Sequence, residues 1–270
     1  KNPALKDKPF AVGGSPTGRG VIASCSYAAR KRGVHSAMPT VQALRLCPNL
    51  ILVSSRHREY SQKSKSVMQI LAEITPLMEQ ISVDEAFLDI SDLPDDSHEI
   101  ARNLQKRIDL ETGLPASFGV ASNKLVAKIA NDFGKKQKGG NSYPRAIKVV
   151  APGLEAEFLA PLPVDMLWGV GPKTALRLKV NGIKTIGDLA RLPDEYLKIH
   201  FGSNGQFLKM NALGIDTRPV ENYDEMKSIS QEMTFDQDIS DVDLIIKEIR
   251  NISEKLGFRL RKNMLMAYTI

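Results

Sequence analysis

The order of apolar patterns between residues 56 and 150 restricts the fold more than any other feature of the sequence. Apolar residues recur at helical spacing in three segments, residues 56–74, 97–111 and 123–134. Short β-prone runs lie at residues 77–82, 86–90, 115–121 and 146–150. A helix followed by strand–strand–helix–strand–helix–strand predicts an α+β fold built on a ferredoxin-like sandwich. The pattern lacks one strand at the front of such a sheet.

The segments on either side of this sandwich differ from it in character. Residues 1–57 contain short strands and helices around turns rich in Gly and Pro, and one strand runs into a helix over 27–33. Residues 158–217 contain two short helical units around Gly-rich turns, and residues 218–226 read as an acidic linker. Residues 227–270 begin with a β-prone segment, continue as a helix and end in a partnerless strand, "LMAYTI". We interpret this last part as an incomplete domain.

Positive charge is concentrated in two blocks of the sequence. Residues 1–60 hold ten Lys or Arg against two acidic residues, and residues 121–150 hold seven against one. With a net charge of +6, this distribution favours a polyanionic partner, above all nucleic acid. Two cysteines argue against a disulfide framework and favour a reducing compartment. The sequence has neither an apolar run of membrane length nor a secretory signal, so we expect no membrane partner.

The stretch "QISVDEAFLDIS", residues 80–91, places Asp84, Glu85 and Asp89 in an otherwise apolar, β-prone run. Strands are normally poor in acidic residues, and a regular strand would send Asp84 and Glu85 to opposite faces. If the backbone bends into a hairpin at "VDE", the two carboxylates converge, and their repulsion favours a hard divalent cation such as Mg²⁺. The alternative is that these residues only form or cap a turn in solvent.

Side chains that suit phosphate accompany the acidic pair. Tyr27 and Arg30 are three residues apart on a predicted helix and therefore share a face, where a hydroxyl and a guanidinium suit phosphate oxygens. Lys124 and Lys128 lie along one face of a later helix, and Lys135 follows near its end. The alternatives are a surface Arg beside a packed Tyr, and an ordinary solvated face of lysines.

The motif "LWGVGPKTALRL" places Gly169 and Gly171 before a helix that begins near a proline. Glycines let backbone N–H groups approach a phosphate, and a helix N-terminus favours an anion. This is a helix-hairpin-helix signature, to which "NGIKTIGDL" adds a second unit. Lys173 and Thr174 would add contacts that position DNA without reading its sequence, whereas Trp168 is expected in the core. The alternative is a helical turn in which Gly only marks the end of one helix and the start of the next.

Four motifs occur in an order that resembles the Y-family, lesion-bypass DNA polymerases, with the greatest likeness to the DNA polymerase IV branch. They are "GVIASCSYAARKRGV", "SVDEAFLDIS", "FGVASNKLVAKIAND" and "LWGVGPKTALRL". The resemblance runs nearly end to end. It implies template-directed nucleotidyl transfer with two Mg²⁺ ions, acting on primer–template DNA and an incoming dNTP. It also implies a monomer in the cytoplasm, or in the nucleus of a eukaryote.

The resemblance implies a division into the domains of this family. These are a small fingers lobe (1–57), a ferredoxin-like palm (58–157), an all-α helix-hairpin-helix thumb (158–217), a linker (218–226) and a partial α/β little finger (227–270). It implies that Gly169, Gly171, Lys173 and Thr174 bind DNA from the thumb.

The resemblance also implies roles for residues of the fingers and palm. Asp84 and Glu85 match the palm metal ligands, with Glu85 nearest the ion that activates the primer 3′-hydroxyl. Tyr27 and Arg30 match residues that hold the incoming triphosphate, and Ser24 lies in the same segment. In addition, Lys135 matches a lysine after the palm helix that reaches phosphate.

Two departures from the family pattern stand out. The family's first metal-ligand aspartate and the aromatic residue that screens out ribonucleotides lie in an N-terminal strand, and this chain starts after them. If those residues are truly absent, we expect little or no polymerase activity. The loop "KKQKGGNSYP" is longer and more basic than the family's Pro-Asn-Gly turn, which makes the match of Lys135 less secure. A sliding clamp is a further partner, although its binding peptide usually lies beyond the end of chains like this.

Two other functions remain open at this point. A DNA-binding fragment of such a polymerase would hold primer–template DNA through the thumb and little finger without chemistry. A two-metal nuclease would use the same carboxylates, but Tyr27 and Arg30 would then have no purpose.

Overall fold

The computed structural model describes residues 3–138, 143–222 and 228–269. The chain divides into two compact units, residues 1–56 with 223–270 and residues 57–222. Each unit contains several helices. Among the described residues, the first unit has a three-stranded sheet, and the second has two sheets of two strands. The α+β class expected from the sequence is therefore confirmed.

The N-terminal part of the first unit is a three-stranded sheet with two short helices. Its elements are β1 (Phe10–Gly13), β2 (Ile22–Cys25), α1 (Tyr27–Arg30), α2 (Thr40–Leu46) and β3 (Ile51–Val53), after a 3₁₀ turn at Pro3–Leu5. Strand β1 lies in the middle, antiparallel to β2 and parallel to β3. Ile22, Ala29 and Ala43 are fully buried in one apolar core. The short strands and helices predicted for this segment are confirmed.

The second unit begins with three long helices and four short strands. They are α3 (His57–Ala72), β4 (Met78–Gln80), β5 (Ala86–Leu88), α4 (Ser97–Thr112), β6 (Phe118–Val120), α5 (Lys124–Gln137) and β7 (Ile147–Val149). Strand β4 pairs antiparallel with β5, and β6 pairs parallel with β7. In the described chain no strand joins the two pairs, so the single predicted sheet is present as two. Each described strand has its partners within its own group, β4 with β5, β6 with β7, and β1 with β2 and β3, so none of them joins the two pairs.

A shared core nevertheless connects the two strand pairs. Met68 of α3 and Leu104 of α4 are buried where these helices pack together. Leu88 of β5 and Phe118 of β6 pack against the same cluster. Because one apolar core contacts both pairs, this part of the chain is a single layered structure despite its divided sheet.

Local sequence signals set the ends of these helices. Asp96 caps α4 by accepting hydrogen bonds from the backbone N–H groups of His98 and Glu99, and Gly113, with a φ of 66°, ends it. Asn123 caps α5 by accepting from the N–H of Val126. The helices predicted over 97–111 and 123–134 are confirmed, and α5 continues three residues further than predicted, to Gln137.

Residues 155–212 are helical apart from their turns. The elements are α6 (Glu155–Leu159), a 3₁₀ turn (Val164–Met166), α7 (Pro172–Val180), α8 (Ile186–Ala190), α9 (Asp194–Phe201) and α10 (Asn204–Ala212). Leu125 and Ile129 of α5 belong to the same buried core as Leu178, Leu189 and Leu197. The two helical units predicted here are present, and α9 with α10 adds a further pair that the sequence analysis did not assign.

After α10 the chain returns to the strands of the same unit. In this return segment, residues 214–222, the carbonyl of Gly214 accepts a hydrogen bond from the Asn123 side chain at 2.9 Å. The N–H of Met78 donates to Asn222 Oδ1 at 3.0 Å, and the N–H of Glu221 donates to Glu79 at 3.2 Å. The predicted acidic linker is therefore bonded to β4 through Glu221 and Asn222, while 223–226 lie outside the described residues.

The last described segment contains one long helix, α11 (Val242–Lys262), capped by Asp241. The helix is confirmed, but the strands predicted at 227–235 and in "LMAYTI" are wrong for their described parts, residues 228–235 and 265–269, which contain no strand. An isolated β-prone segment has no neighbour to complete its hydrogen-bond ladder, so the pattern alone does not make a strand. No helix among the described residues is long and apolar enough to cross a membrane.

Candidate active site

The hairpin between β4 and β5 bends where the sequence predicts it. The strands pair up to Gln80 and Ala86, which leaves residues 81–85 as the turn. The carbonyl of Glu85 accepts hydrogen bonds from the N–H groups of Ile81 at 3.0 Å and Ser82 at 3.2 Å. Asp84 and Glu85 therefore lie in a tight turn and not in a regular strand, which frees their side chains from strand alternation.

The two neighbouring carboxylates have different partners. Ser82 Oγ donates to Asp84 Oδ1 at 2.7 Å, and Asp84 is exposed. Both oxygens of Glu85 accept from Lys128 Nζ at 3.0 Å, and Glu85 is half-buried. The third acidic residue, Asp89, accepts from the N–H and Oγ of Ser91, and the hydroxyl bond is the main cause of its lowered pKa. Asp89 is thus a turn residue, as the alternative interpretation expected.

The lysines on α5 do not form a solvated face. Lys124 is buried, and its ammonium lies 2.6 Å from Glu79 Oε2. One turn later, Lys128 pairs with Glu85. These lysines are also not free cations that could bind phosphate, since each already has a carboxylate partner. The sequence analysis missed Glu79 altogether, although an acidic residue inside the short β4 run was a signal that a cation would be needed beside it.

Lys135 lies in the last turn of α5 and pairs with an aspartate of the same helix. Its ammonium is 3.6 Å from Asp132 Oδ1, three residues earlier on the helix, and its side chain is 35% exposed. A surface pair of this kind is weak and is readily exchanged for a phosphate.

The hairpin turn carries ligands that suit a hard divalent cation. Among the described residues, no group of three or more His, Cys, Asp or Glu side chains lies together as a metal site. The donors available are therefore the carboxylates of Asp84 and Glu85, which are oxygen donors of the kind that Mg²⁺ prefers. Such a pair leaves most coordination positions to other oxygen donors, and the chemistry of the two carboxylates suits a hard divalent cation.

Tyr27 and Arg30 share a face of α1 in the first unit, as their spacing predicts. The guanidinium carbon of Arg30 lies 5.7 Å from the centre of the Tyr27 ring, and Nε donates to the carbonyl of Cys25 at 3.4 Å. Ser26 caps the helix by accepting from the N–H of Ala29. Ser24 is exposed on β2, two residues before this cap. Arg30 is likewise exposed, so this segment presents hydroxyls and a guanidinium to a ligand.

The glycines of the helix-hairpin-helix motif lie in a turn that leads directly into a helix. Gly169 has a φ of 94°, which favours glycine, and Gly171 stands before Pro172 at the start of α7. No side chain caps α7, so its first N–H groups remain open to an anion. Lys173 is exposed and Thr174 half-buried in that first turn.

In the second part of this motif, "NGIKTIGDL", side chains already bond the N–H groups at the start of the helix. Thr185 and Asp188 form a reciprocal capping box at the start of α8. Of these two helix starts, that of α7 is therefore the more open to an anion.

Family models match three parts of the chain. The impB/mucB/samB family model matches residues 1–132, the model for the helix-hairpin-helix motif of the same family matches residues 153–183, and the model for the family's C-terminal domain matches residues 226–270. These matches cover the segments that contain the acidic hairpin, the Tyr–Arg pair and the Gly-rich turn.

Curated relatives extend the similarity over the whole chain. DNA polymerase IV of Dehalococcoides mccartyi strain 195 is 42% identical over 96% of this chain and 65% of its own length. DNA polymerase IV of Alkalilimnicola ehrlichii is 39% identical over 99% of this chain and 74% of its own length. The chain belongs to the impB/mucB/samB family, the Y-family of DNA polymerases. It spans less than two thirds of the length of the Dehalococcoides relative.

Solved structures of Y-family polymerases share the fold. The DinB structure from Sulfolobus solfataricus is 31% identical, with a TM-score of 0.73 over 82% of this chain and 64% of that chain. A structure described as an insertion ternary complex of Dbh DNA polymerase is 30% identical, with a TM-score of 0.71 over the same shares of both chains.

In this Y-family chain, Asp216 is a buried anchor that the sequence analysis missed. Its carboxylate, 3% exposed, accepts from Arg218 Nε at 2.7 Å and from the N–H of Leu125, in the first turn of α5, at 3.1 Å. Burial raises the pKa of Asp216, but the hydrogen bonds from Arg218 outweigh burial and hold that pKa below its ordinary value. The isolated "DTR" sequence gave no local signal of this contact, because its partner is 91 residues away.

Replacing Asp216 with Asn is expected to lower the free energy of unfolding by about 2 kcal/mol at neutral pH, because a charge-assisted pair and a helix anchor are weakened. A lowered pKa means that the carboxylate stabilises the fold above its unfolded pKa and that this contribution is lost as pH falls through the folded pKa. Urea unfolding at neutral pH and at about pH 3 measures both effects.

The exposed Asp95→Asn variant is the control for the change of charge. It should unfold like the parent chain at both pH values. A D216N variant that is equally less stable at both pH values would show that the carboxylate charge does not contribute.

Proposed function

We propose that this chain is the catalytic part of a translesion DNA polymerase, which adds deoxynucleotides to a primer under the direction of a template strand. The observation that carries the proposal is the tight hairpin turn with Asp84 and Glu85, in a chain similar to DNA polymerase IV over nearly all of its length. An acidic pair held in a turn and reachable from solvent suits phosphoryl transfer better than a purely structural role.

In this proposal Asp84 and Glu85 are the protein ligands of two Mg²⁺ ions. When bound, these ions favour loss of the proton from the primer 3′-hydroxyl and neutralise charge on the phosphates. The task of the protein is to hold the carboxylates in position, which the backbone bonds across the turn and the hydroxyl of Ser82 do.

Tyr27, Arg30 and Ser24 of the first unit bind the incoming triphosphate, and Lys135 adds a further phosphate contact. The guanidinium of Arg30 offers paired N–H donors to phosphate oxygens. The primer 3′-oxygen then forms a bond to the α-phosphorus, the bond to the bridging oxygen breaks, and pyrophosphate leaves. Positioning and charge stabilisation are the main contributions of protein side chains to such reactions.

The helix-hairpin-helix segment holds primer–template DNA by its backbone phosphates. Gly169 and Gly171 allow close approach to the open terminus of α7, and Lys173 and Thr174 add side-chain contacts. Such contacts carry no base information, as a polymerase that moves along any sequence requires. We further propose that residues 1–57, 58–157, 158–217 and 227–270 act as fingers, palm, thumb and little finger of a cytoplasmic, monomeric enzyme.

Primer extension with Mg²⁺ and the four dNTPs, on a labelled primer–template, tests this function. The protein is used as its gene encodes it, and duplex binding is measured in parallel. Template-directed extension is expected, and no degradation of the primer should occur when dNTPs are left out. Folded protein that binds DNA without extending the primer would contradict the polymerase, and primer degradation without dNTPs would indicate a nuclease.

A further inference from the structure

Lys128 occupies both oxygens of the carboxylate that the proposed function assigns to a metal ion. Its ammonium lies 3.0 Å from Glu85 Oε1 and from Oε2, and the side chains of Lys128 and Glu85 are only 18% and 34% exposed. A divalent cation that binds Glu85 would therefore meet a positive charge already in hydrogen-bond contact with its ligand. Like charges this close, with little water between them, repel strongly.

In the same position the ammonium also lies beside an aromatic ring. Lys128 Nζ is 5.8 Å from the centre of the Trp168 ring, within the range of a cation–π contact, and the guanidinium carbon of Arg218 is 5.1 Å from the same centre. The flexible four-carbon stem of lysine allows the ammonium to leave the carboxylate while its backbone stays in place.

The helix that carries Lys128 is fixed, so the side chain alone can make this change. Asn123 caps α5, Asp216 accepts from the N–H of Leu125, and Gly119 of β6 lies against the backbone of Ala127. These contacts lie at residues 123, 125 and 127, along the turn that leads to Lys128. A metal ion that displaces the ammonium would therefore not need to displace the helix.

The neighbouring ion pair of the same helix, between Lys124 and Glu79, is an example of a permanent contact. Lys124 and Glu79 have side chains only 9% and 26% exposed, and Glu79 also accepts from the N–H of Glu221. Glu79 thus has a second donor, from the return segment. In the described residues, Glu85 has no donor to its carboxylate besides Lys128.

We propose that Lys128 is a displaceable counter-ion and a positioning residue for Glu85. In the metal-free protein it holds the carboxylate in place, and when a divalent cation binds at Glu85 the ammonium leaves the carboxylate. The inference rests on the proposed metal-binding role of Glu85. It assigns a positioning role to Lys128, for which the sequence alone suggests either phosphate binding or exposure to solvent.

Metal binding without nucleotide or DNA tests the proposal in the 270-residue chain. Binding of Mn²⁺ is measured by electron paramagnetic resonance for the parent chain and for Lys128→Gln. We expect Lys128→Gln to bind Mn²⁺ roughly tenfold more tightly, because one charged hydrogen-bonded pair no longer has to be broken. Lys128→Met, which keeps the aliphatic stem, should behave in the same way, and Lys128→Arg should restore the weaker binding. The exposed Lys106→Gln removes the same charge from α4 and should leave Mn²⁺ affinity unchanged.

Tryptophan fluorescence provides a second readout, which can be measured on the parent chain. Trp168 is the one tryptophan among the 270 residues, so its emission reports on the ammonium beside its ring. A Mg²⁺ titration of the parent chain should give a saturable change in emission, and that change should be absent in Lys128→Gln although the metal still binds.

The outcomes separate this inference from the proposed function. If Glu85→Gln lowers Mn²⁺ affinity but Lys128→Gln and Lys128→Met leave it unchanged, the counter-ion role is wrong and the metal site stands. If Glu85→Gln has no effect on Mn²⁺ affinity, the metal site itself is wrong. A parent chain that binds Mg²⁺ at Glu85 with no change in Trp168 emission would contradict the displacement of the ammonium.

Discussion

Replacing Glu85 or Asp84 with Ala is expected to reduce primer extension by more than about a hundredfold and to leave duplex binding unchanged, because changes in the outer shell of a metal site alone cost up to that factor. The structure gives the reason for both parts of the result. The two carboxylates lie in the hairpin turn and are exposed or half-buried, so their removal does not open a core. The proposed DNA contacts at Gly169 and Lys173 belong to a different segment of the chain.

Single-turnover extension of a labelled primer measures the loss, and fluorescence anisotropy with a labelled duplex measures binding. Asp89→Ala is the matched control, since Asp89 follows the same hairpin and its carboxylate bonds only Ser91 among the described residues. It should keep extension within about threefold of the parent, as expected for a surface turn residue. Extension that survives in Glu85→Ala and Asp84→Ala would remove these residues from the chemistry.

Replacing Gly119 with Ala is expected to destabilise the second unit by about 3 kcal/mol or more, the upper end of the cost of overpacking. A methyl group at Gly119 would lie 1.9 Å from the carbonyl oxygen of Ala127 and 2.5 Å from the backbone nitrogen of Asn131. Both atoms belong to the backbone of α5, so no side-chain rotation relieves the clash. The helix would have to move away from β6, together with Lys128.

Urea unfolding followed by circular dichroism measures the change. Gly257→Ala is the control, because its methyl group would meet only the end of the Arg261 side chain, at 3.3 Å. In the middle of α11 this change should be neutral or stabilising by up to about 1 kcal/mol. A Gly119→Ala variant as stable as the parent chain would mean that α5 is not seated as closely on β6 as the structure has it.

The helices and the hairpin could be predicted because their signals are local. Asp96 and Asn123 cap helices whose apolar residues recur at helical spacing, and these helices begin where the sequence places them. The bend at Asp84 and Glu85 follows from the same kind of reasoning, since acidic residues between two β-prone runs favour a turn. The shared face of Tyr27 and Arg30 needs only helical geometry.

The contacts that organise the acidic hairpin could not be predicted because they join distant parts of the chain. Lys128 reaches Glu85 across 43 residues, and Asp216 reaches the first turn of α5 across 91. Periodicity shows that lysines share a helix face but does not show what faces them. Residues 228–235 failed as a strand for the same reason, since the partner of a strand is not a property of its own sequence.

The return segment has a consequence for the order of events during protein synthesis. Met78 donates to Asn222, which is 144 positions later, and the N-terminal turn of α5 bonds to Asp216. A nascent chain that has emerged only as far as α10 can assemble its helices but still lacks these closing bonds. Completion of the folded unit therefore waits for translation of the last few residues before position 223. A ribosome that stalls just before them would hold an α5 without its carboxylate anchor and a β4 edge open to other chains.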